Sequence, residues 1–325
     1  MLRTARELHR RSGIFVRLFS DRQTIFDRDA VVHHRDVLAK RKDMEDYAYL
    51  RNDVMDQLIE RTAVINRSFP VAVDLGCWDG KLEEKLRARN DIKTLYECDG
   101  SFNMLQLARS KYSQSNSNIK TTYVQVNEEF LPFKNHCANV VFSPLYLHWT
   151  NDILRTLREI YRILIPDGFF IGAMFAASTL HELREVMETA EQSVEKVLSP
   201  HVSPLPTPGS IGDALSEAGF IITSVSSTPV TVEYRDIYQL MHHLRGMGEN
   251  NALTNRRHFV SRHTLKEADR LYKEKYPSEH GGINATFELA YFCGWTVCEE
   301  TKQLLRPKHP TVSLDDVLNS GKYLS

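Results

Sequence analysis

The sequence predicts an α/β domain: an open, mostly parallel sheet covered by helices, continued by a smaller part that completes it. Three observations carry this expectation. From Val71 onward, short apolar runs alternate with stretches of helical periodicity, the rhythm of successive strand–helix units. Glycines and polar residues fall where those runs end, at Gly76 and Gly80, at Asp99 and at Asn127, and open parallel sheets bind ligands there. The chain has 325 residues, 42% of them hydrophobic, enough for one large domain with an appendage or two modest ones.

Taken in order, Asp43 to Arg61 reads as a helix, because Tyr47, Leu50, Val54, Leu58 and Ile59 share one face. Val71 to Leu75 and Lys93 to Cys98 read as strands separated by a helix at Lys81 to Arg89. A helix at Phe102 to Tyr112 follows, then strands at Thr121 to Val126 and Ala138 to Phe142, a helix at Asp152 to Leu164 and a strand at Phe169 to Met174. Leu180 to Leu198 is helical in pattern, and the serine- and proline-rich Ser199 to Ser210 reads as a linker or lid. Next come a short helix at Gly209 to Ala218 and a strand pair, Ile221 to Val225 and Val230 to Tyr234. An insertion of two helices, Asp236 to Arg245 and Arg262 to Tyr276, precedes a final strand at Ala285 to Val297.

The expected organisation is therefore a leader at 1–20, a helical lead-in at 21–68, a cofactor-binding core at 69–178, completion of the sheet at 179–306 with a lid and a helical insertion at 236–276, and a tail at 307–325. The first 20 residues set Arg3, Arg6, Arg10, Arg11 and Arg17 against one acid, Glu7, with Leu8, Phe15, Leu18 and Phe19 interspersed, as a mitochondrial presequence requires. A net charge of −1 gives no reason to expect nucleic acid as partner. No apolar run approaches the roughly 20 residues needed to cross a bilayer, so membrane contact is expected to be peripheral at most. Five scattered cysteines without a CxxC pair read as reduced thiols.

The turn Asp74-Leu75-Gly76-Cys77-Trp78-Asp79-Gly80 lets a ligand approach the backbone. Asp99 can accept both ribose hydroxyls, Ser101 stands near a helix cap, and Asn127 can accept from an adenine amino group, with Phe130 and Phe133 nearby. Gly76 and Gly80 are four apart with Trp78 between them, which provides no pyrophosphate cradle and no P-loop lysine, so a nucleoside cofactor without phosphates is expected. His148 follows the fourth strand, beside Tyr146 and Trp149, and can orient or deprotonate an acceptor. His201 sits where a lid would carry it over the strand ends. The paired histidines His33-His34 and His242-His243, and His181-Glu182, read as solvated helix residues, and no metal site is expected.

Asp74-x-Gly76-x-x-x-Gly80, Asp99-x-Ser101-x-x-Met104-Leu105, Asn127-Glu128-x-x-Leu131-Pro132-Phe133 and Leu164-x-Pro166-Asp167-Gly168 resemble the motifs of class I S-adenosylmethionine-dependent methyltransferases. The resemblance implies a Rossmann-like fold with a seven-stranded, mostly parallel sheet. It implies S-adenosylmethionine as cofactor, with Asp99 at the ribose, Asn127 at the adenine and the Gly76 turn at the methionine end. Asp74, Trp78, Gly80, Ser101 and Glu128, in the same motifs, complete the expected cofactor set.

Further segments, among them Ile25-Phe26-Asp27-Arg28, Leu147-His148-Trp149-x-Asn151-Asp152, Ser199-Pro200-His201-x-Ser203-Pro204 and Gly246-Met247-Gly248-Glu249-x-Asn251, resemble the mitochondrial complex I assembly factors of the methyltransferase-like class. That resemblance implies an early role in complex I assembly in the matrix, or peripheral to the inner membrane. It also implies hydroxylation of an arginine of the iron–sulfur subunit near the quinone site, with a redox cofactor that the sequence does not identify. A related bacterial branch methylates malonyl groups on acyl carrier protein, which makes small-acceptor methyl transfer the alternative. A non-catalytic chaperone is the third reading, because Trp78 stands where the family carries glycine.

Overall fold

A computed structural model describes residues 24–112, 118–257 and 259–305. The expected leader at 1–20 and the tail at 307–325 lie outside the described residues. The chain enters through α1 (Arg28–Leu38), whose N-cap Asp27 accepts from the Ala30 amide, and reaches α2 (Tyr49–Ala63) by a 3₁₀ turn at Met44–Tyr47. A single helix from Asp43 does not form. The tighter turn puts Met44 and Tyr47, three apart, on one side, and both are buried.

The alternation then unfolds as the sequence predicts: β1 (Val71–Leu75), α3 (Lys81–Leu86), β2 (Thr94–Asp99), α4 (Phe102–Tyr112), β3 (Lys120–Gln125), β4 (Ala138–Pro144), α5 (Ile153–Ile163) and β5 (Leu164–Phe175). Next come α6 (His181–Val194), α7 (Pro208–Glu217), β6 (Ile221–Tyr234), α8 (Ile237–Gly246), α9 (Arg262–Lys275), β7 (Ile283–Trp295) and α10 (Glu299–Leu305). The seven strands form one sheet in the order β3-β2-β1-β4-β5-β7-β6. The first five are parallel, and β7 is antiparallel to both β5 and β6. The order reverses between β1 and β4, so their outgoing loops part company and leave a crevice at the carboxyl edge.

The expected strand pair at 221–234 is instead one continuous strand. Ser224 to Thr231 is mostly polar and exposed, and nothing in it supplies a turn with positive φ. The strand lies at the sheet edge, where Pro229 removes no ladder bond that a neighbour needs. Ser199 to Thr207 is irregular, and Thr207 caps α7, whose first residue is Pro208.

Two apolar layers sandwich the sheet. On one face the side chains of α2, α6, α8 and α9 meet Leu95, Phe142, Ile171, Phe287 and Leu289, and on the other α5 and α7 meet Val73, Val141, Phe170 and Phe292. Residues on both sides of Ser178 share these layers, because β7 pairs with β5 from Phe169↔Trp295 to Phe175↔Leu289. Among the described residues no helix is long and apolar enough to cross a membrane, and all five cysteines are free thiols.

Candidate functional site

The carboxyl edge carries two neighbouring regions. The first lies over β1, β2 and β3 and contains most of the residues expected to hold a cofactor. Asp99 ends β2 fully buried. Its Oδ1 accepts from the Ser101 amide at 2.8 Å, and its Oδ2 accepts from Arg35 of α1 at 2.7 Å and from the Trp78 amide at 3.3 Å. Ser101 accepts from the Met104 amide at 3.1 Å, the helix-cap role its position suggests, and donates to Asp36. Gly80 caps α3 at φ +79°, and a Cβ there would meet Ala108 at 2.9 Å.

Trp78 adopts φ +58°, the left-handed conformation that glycine takes without strain. Its ring is buried between two guanidiniums, Arg35 at 5.1 Å and Arg51 at 4.9 Å, and its indole nitrogen has no partner. Arg51 in turn donates to the carbonyls of Pro144 and Gly76. Burial lowers the pKa of Arg51, whereas Asp99 holds that of Arg35 above its ordinary value despite burial.

Tyr146, expected to wall the acceptor pocket, is turned into this first region. Its ring lies where a Cβ on Gly76 would come within 2.2 Å, and its hydroxyl donates to Glu128 at 3.2 Å. Burial, together with Glu128 and Asp99, raises its pKa far above neutrality, so the phenol stays protonated. Glu128 is itself buried and ion-paired with Arg28 of α1. Asn127 closes a local turn by accepting from the Glu129 amide at 3.0 Å and is exposed. Phe130 packs on Arg155 and Phe133 on Tyr96, so neither ring faces this region. Asp74 lies below it, fully buried. Burial lifts its pKa to about 7 against the pull of Arg51, and the Glu97 carboxyl beside it is raised as well.

The second region is a cavity of about 610 Å³ between the edge of the sheet and the insertion, lined among others by His148, Trp149, Phe175, His201, Glu249 and Phe287. His148 follows β4 on a 3₁₀ turn. Its Nε2 meets Glu249 Oε2 at 3.0 Å, its ring lies 5.0 Å from Phe175 and 5.4 Å from Trp149, and its Nδ1 is buried without a partner. The other side of His148 borders a smaller apolar cavity of about 90 Å³. At the rim, His201 meets buried Glu191 at 2.9 Å, and Glu191 also accepts from Ser199 and from Arg257. His201 thus lines the same cavity as His148. Among the described residues no three of His, Cys, Asp and Glu gather as a metal-binding group.

Sequence reasoning missed Arg28, Arg35, Arg51 and Glu249. Two of them, Arg35 and Arg51, left a readable signal. Arg35 stands between Val31 and Leu38, and Arg51 between Tyr47 and Val54, so each is a charge on the buried stripe of an amphipathic helix, where it must find a partner. Glu249 left none, since its partner lies 101 residues away.

This sheet order, with its reversal at β1 and β4 and its glycine turn after β1, defines a domain of the S-adenosylmethionine-dependent methyltransferase type. The "Methyltransferase domain" family matches residues 73–172. The YcgJ protein from Bacillus has the same fold, at 13% identity and a TM-score of 0.54, over 76% of this chain and 99% of that one. The chain belongs to the family of the mitochondrial arginine-hydroxylase NDUFAF5. It is 36% identical to the Homo sapiens member over 293 residues, 90% of this chain and 83% of the relative, and 35% identical to the Danio rerio member over 311 residues, 95% of each.

Whether the cofactor seat of this domain can receive its cofactor is a question of room. The acceptor oxygens of Asp99 are already engaged by Ser101, Arg35 and Trp78, and the face of Gly76 is covered by Tyr146. The residues present do not fit an adenosyl group in this arrangement.

Proposed function

We propose that this chain is a mitochondrial protein-arginine hydroxylase that serves an early step of complex I assembly. Its substrate in this reading is an arginine of the iron–sulfur subunit beside the quinone site, and it works in the matrix or peripherally on the inner membrane. Membership of the NDUFAF5 family along 90% of the chain supports the activity. The observation that carries the reading is the cavity floored by His148 and Glu249.

A guanidinium is planar, always charged and presents paired N–H donors, so it asks for a carboxylate in a partly desolvated setting and flat rings beside it. Glu249, with the rings of Phe175 and Trp149 close to its partner His148, supplies that chemistry, and a volume of about 610 Å³ admits the arginine side chain. Hydroxylation replaces a C–H of the side chain by C–O–H with one atom of dioxygen. The second atom leaves as water, using two electrons and two protons from an external donor. The chain's own part is to hold the arginine, shield it from water and handle protons at His148, whose Nδ1 is unengaged.

The test is mass spectrometry of the iron–sulfur subunit from cells lacking this chain and from cells re-expressing it. Loss of the added oxygen on the arginine, and its return on re-expression, are expected. Persistence of the modified arginine in the deletion would overturn the proposal.

A further inference from the structure

The seat that class I domains keep for adenosine is filled here by four side chains from four parts of the sequence. Arg35 comes from α1, Arg51 from α2, Trp78 from the turn after β1, and Tyr146 from the loop after β4. In a ligand-binding seat the terminal carboxylate of β2 is left free to accept hydroxyls. In this chain both oxygens of Asp99 are engaged internally, and its ion-pair partner Arg35 is only 2% exposed. Glycine after β1 grants a ligand close approach to the backbone. At Gly76 the atoms that come close belong to Tyr146. The guanidinium of Arg35 lies 4.5 Å from the Tyr146 ring and 5.1 Å from that of Trp78, a carboxylate-and-ring cage closed around an internal cation. A second ion pair, Arg28 with Glu128, fixes the other end of α1 to the same edge, and Tyr146 joins the two by its hydroxyl.

We infer that this chain has converted its cofactor seat into an internal clamp that binds α1 to the sheet through Arg35, and that the protein does not take up S-adenosylmethionine. Trp78 and Tyr146 make the block, because their buried rings stand against Gly76 and Arg35, where a ligand would approach the turn. Entry would require breaking the buried ion pair of Arg35 with Asp99, which is costly in a dry interior. The inference does not rest on the arginine reading, although a void beside Trp78 and the cavity at His148 share Phe175 and Glu249 as walls.

Calorimetric titration of the full chain with S-adenosylhomocysteine, a non-reactive probe of the same seat, tests it. The wild type is expected to give no saturation up to about 1 mM, and Trp78→Gly/Tyr146→Ser to gain at least roughly a hundredfold in affinity over that bound. Saturable binding to the wild type in the micromolar range would overturn the inference. A folded double variant that still ignores the probe would overturn the assignment of the block to these two rings. Should the double variant not fold, Asp99→Asn decides by its melting temperature alone. A clamp loses at least roughly 6 °C when Arg35 is stranded, whereas a seat open to ligand loses almost nothing.

Discussion

Trp78 shows how one side chain decides the character of a turn. A tryptophan in the left-handed region is strained, and it persists because burial of its ring between Arg35 and Arg51 compensates. The sequence identified the position, a bulky residue where the family carries glycine, and the structure gives it a glycine-like backbone with its ring buried. Two predictions belong at this scale. Asp74 has a folded pKa of about 7 against an ordinary 3.8, raised by burial. The folded state therefore holds a proton that the unfolded chain releases between those values, and this group's contribution to stability falls as pH rises from about 4 to about 7. Asp74→Asn mimics the protonated form, so its melting temperature relative to wild type should rise by at least roughly 3 °C on going from pH 5 to pH 8. An unchanged difference across that range would show that Asp74 ionises normally. The second concerns Glu249: replacing it by Gln removes a charge-assisted contact to the guanidinium, worth about 1.5–3 kcal/mol, so the hydroxylated fraction of the partner arginine should fall roughly ten- to hundredfold in rate. Circular dichroism should remain that of the wild type, because Glu249 is held by a single partner.

At the scale of elements, legibility followed periodicity. Strands β1, β2, β4 and β5 read cleanly because strands covered on both faces are continuous apolar runs. Failures came where a neighbour overrode the local pattern. The edge position of β6 let a polar, proline-containing segment stay extended, and β7 alone supplies its partners from Ile221 to Tyr234. Helix α8 ends at Gly246, where substitution by alanine normally stabilises a helix by about 0.5–1 kcal/mol. Here a Cβ would come within 2.3 Å of the Tyr47 ring, so Gly246→Ala should destabilise by about 1–3 kcal/mol instead. Urea unfolding gives the sign directly, and a gain in midpoint would mean that Tyr47 yields easily.

For the molecule as a whole, the sheet ties together segments that the sequence presents as separate. The boundary expected near Ser178 falls between β5 and the elements that complete it, and β7 returns to pair with β5 from Phe169 to Phe175. A chain ended at Ser178 would leave β5 as an apolar, unpaired edge and strip Phe169, Ile171 and Phe175 of their cover. It should therefore lack the cooperative thermal transition of the full chain and aggregate on expression. A soluble fragment with its own sharp transition would show that 69–178 folds alone.

The sequence by itself determined the sheet, its turns and the family, because strand burial, glycine placement and segment resemblance are local properties that survive without coordinates. It also placed His148 after the fourth strand and His201 on a segment over the strand ends, and both line the same cavity. Only the tertiary structure decided what fills the seat over β1 and β2. That depended on which way Tyr146 turns, on Arg51 and Arg35 arriving from helices 25 and 64 residues before Gly76 and Asp99, and on which donors Asp99 meets. Contacts of that kind are set by packing across the chain, and local pattern holds no record of them.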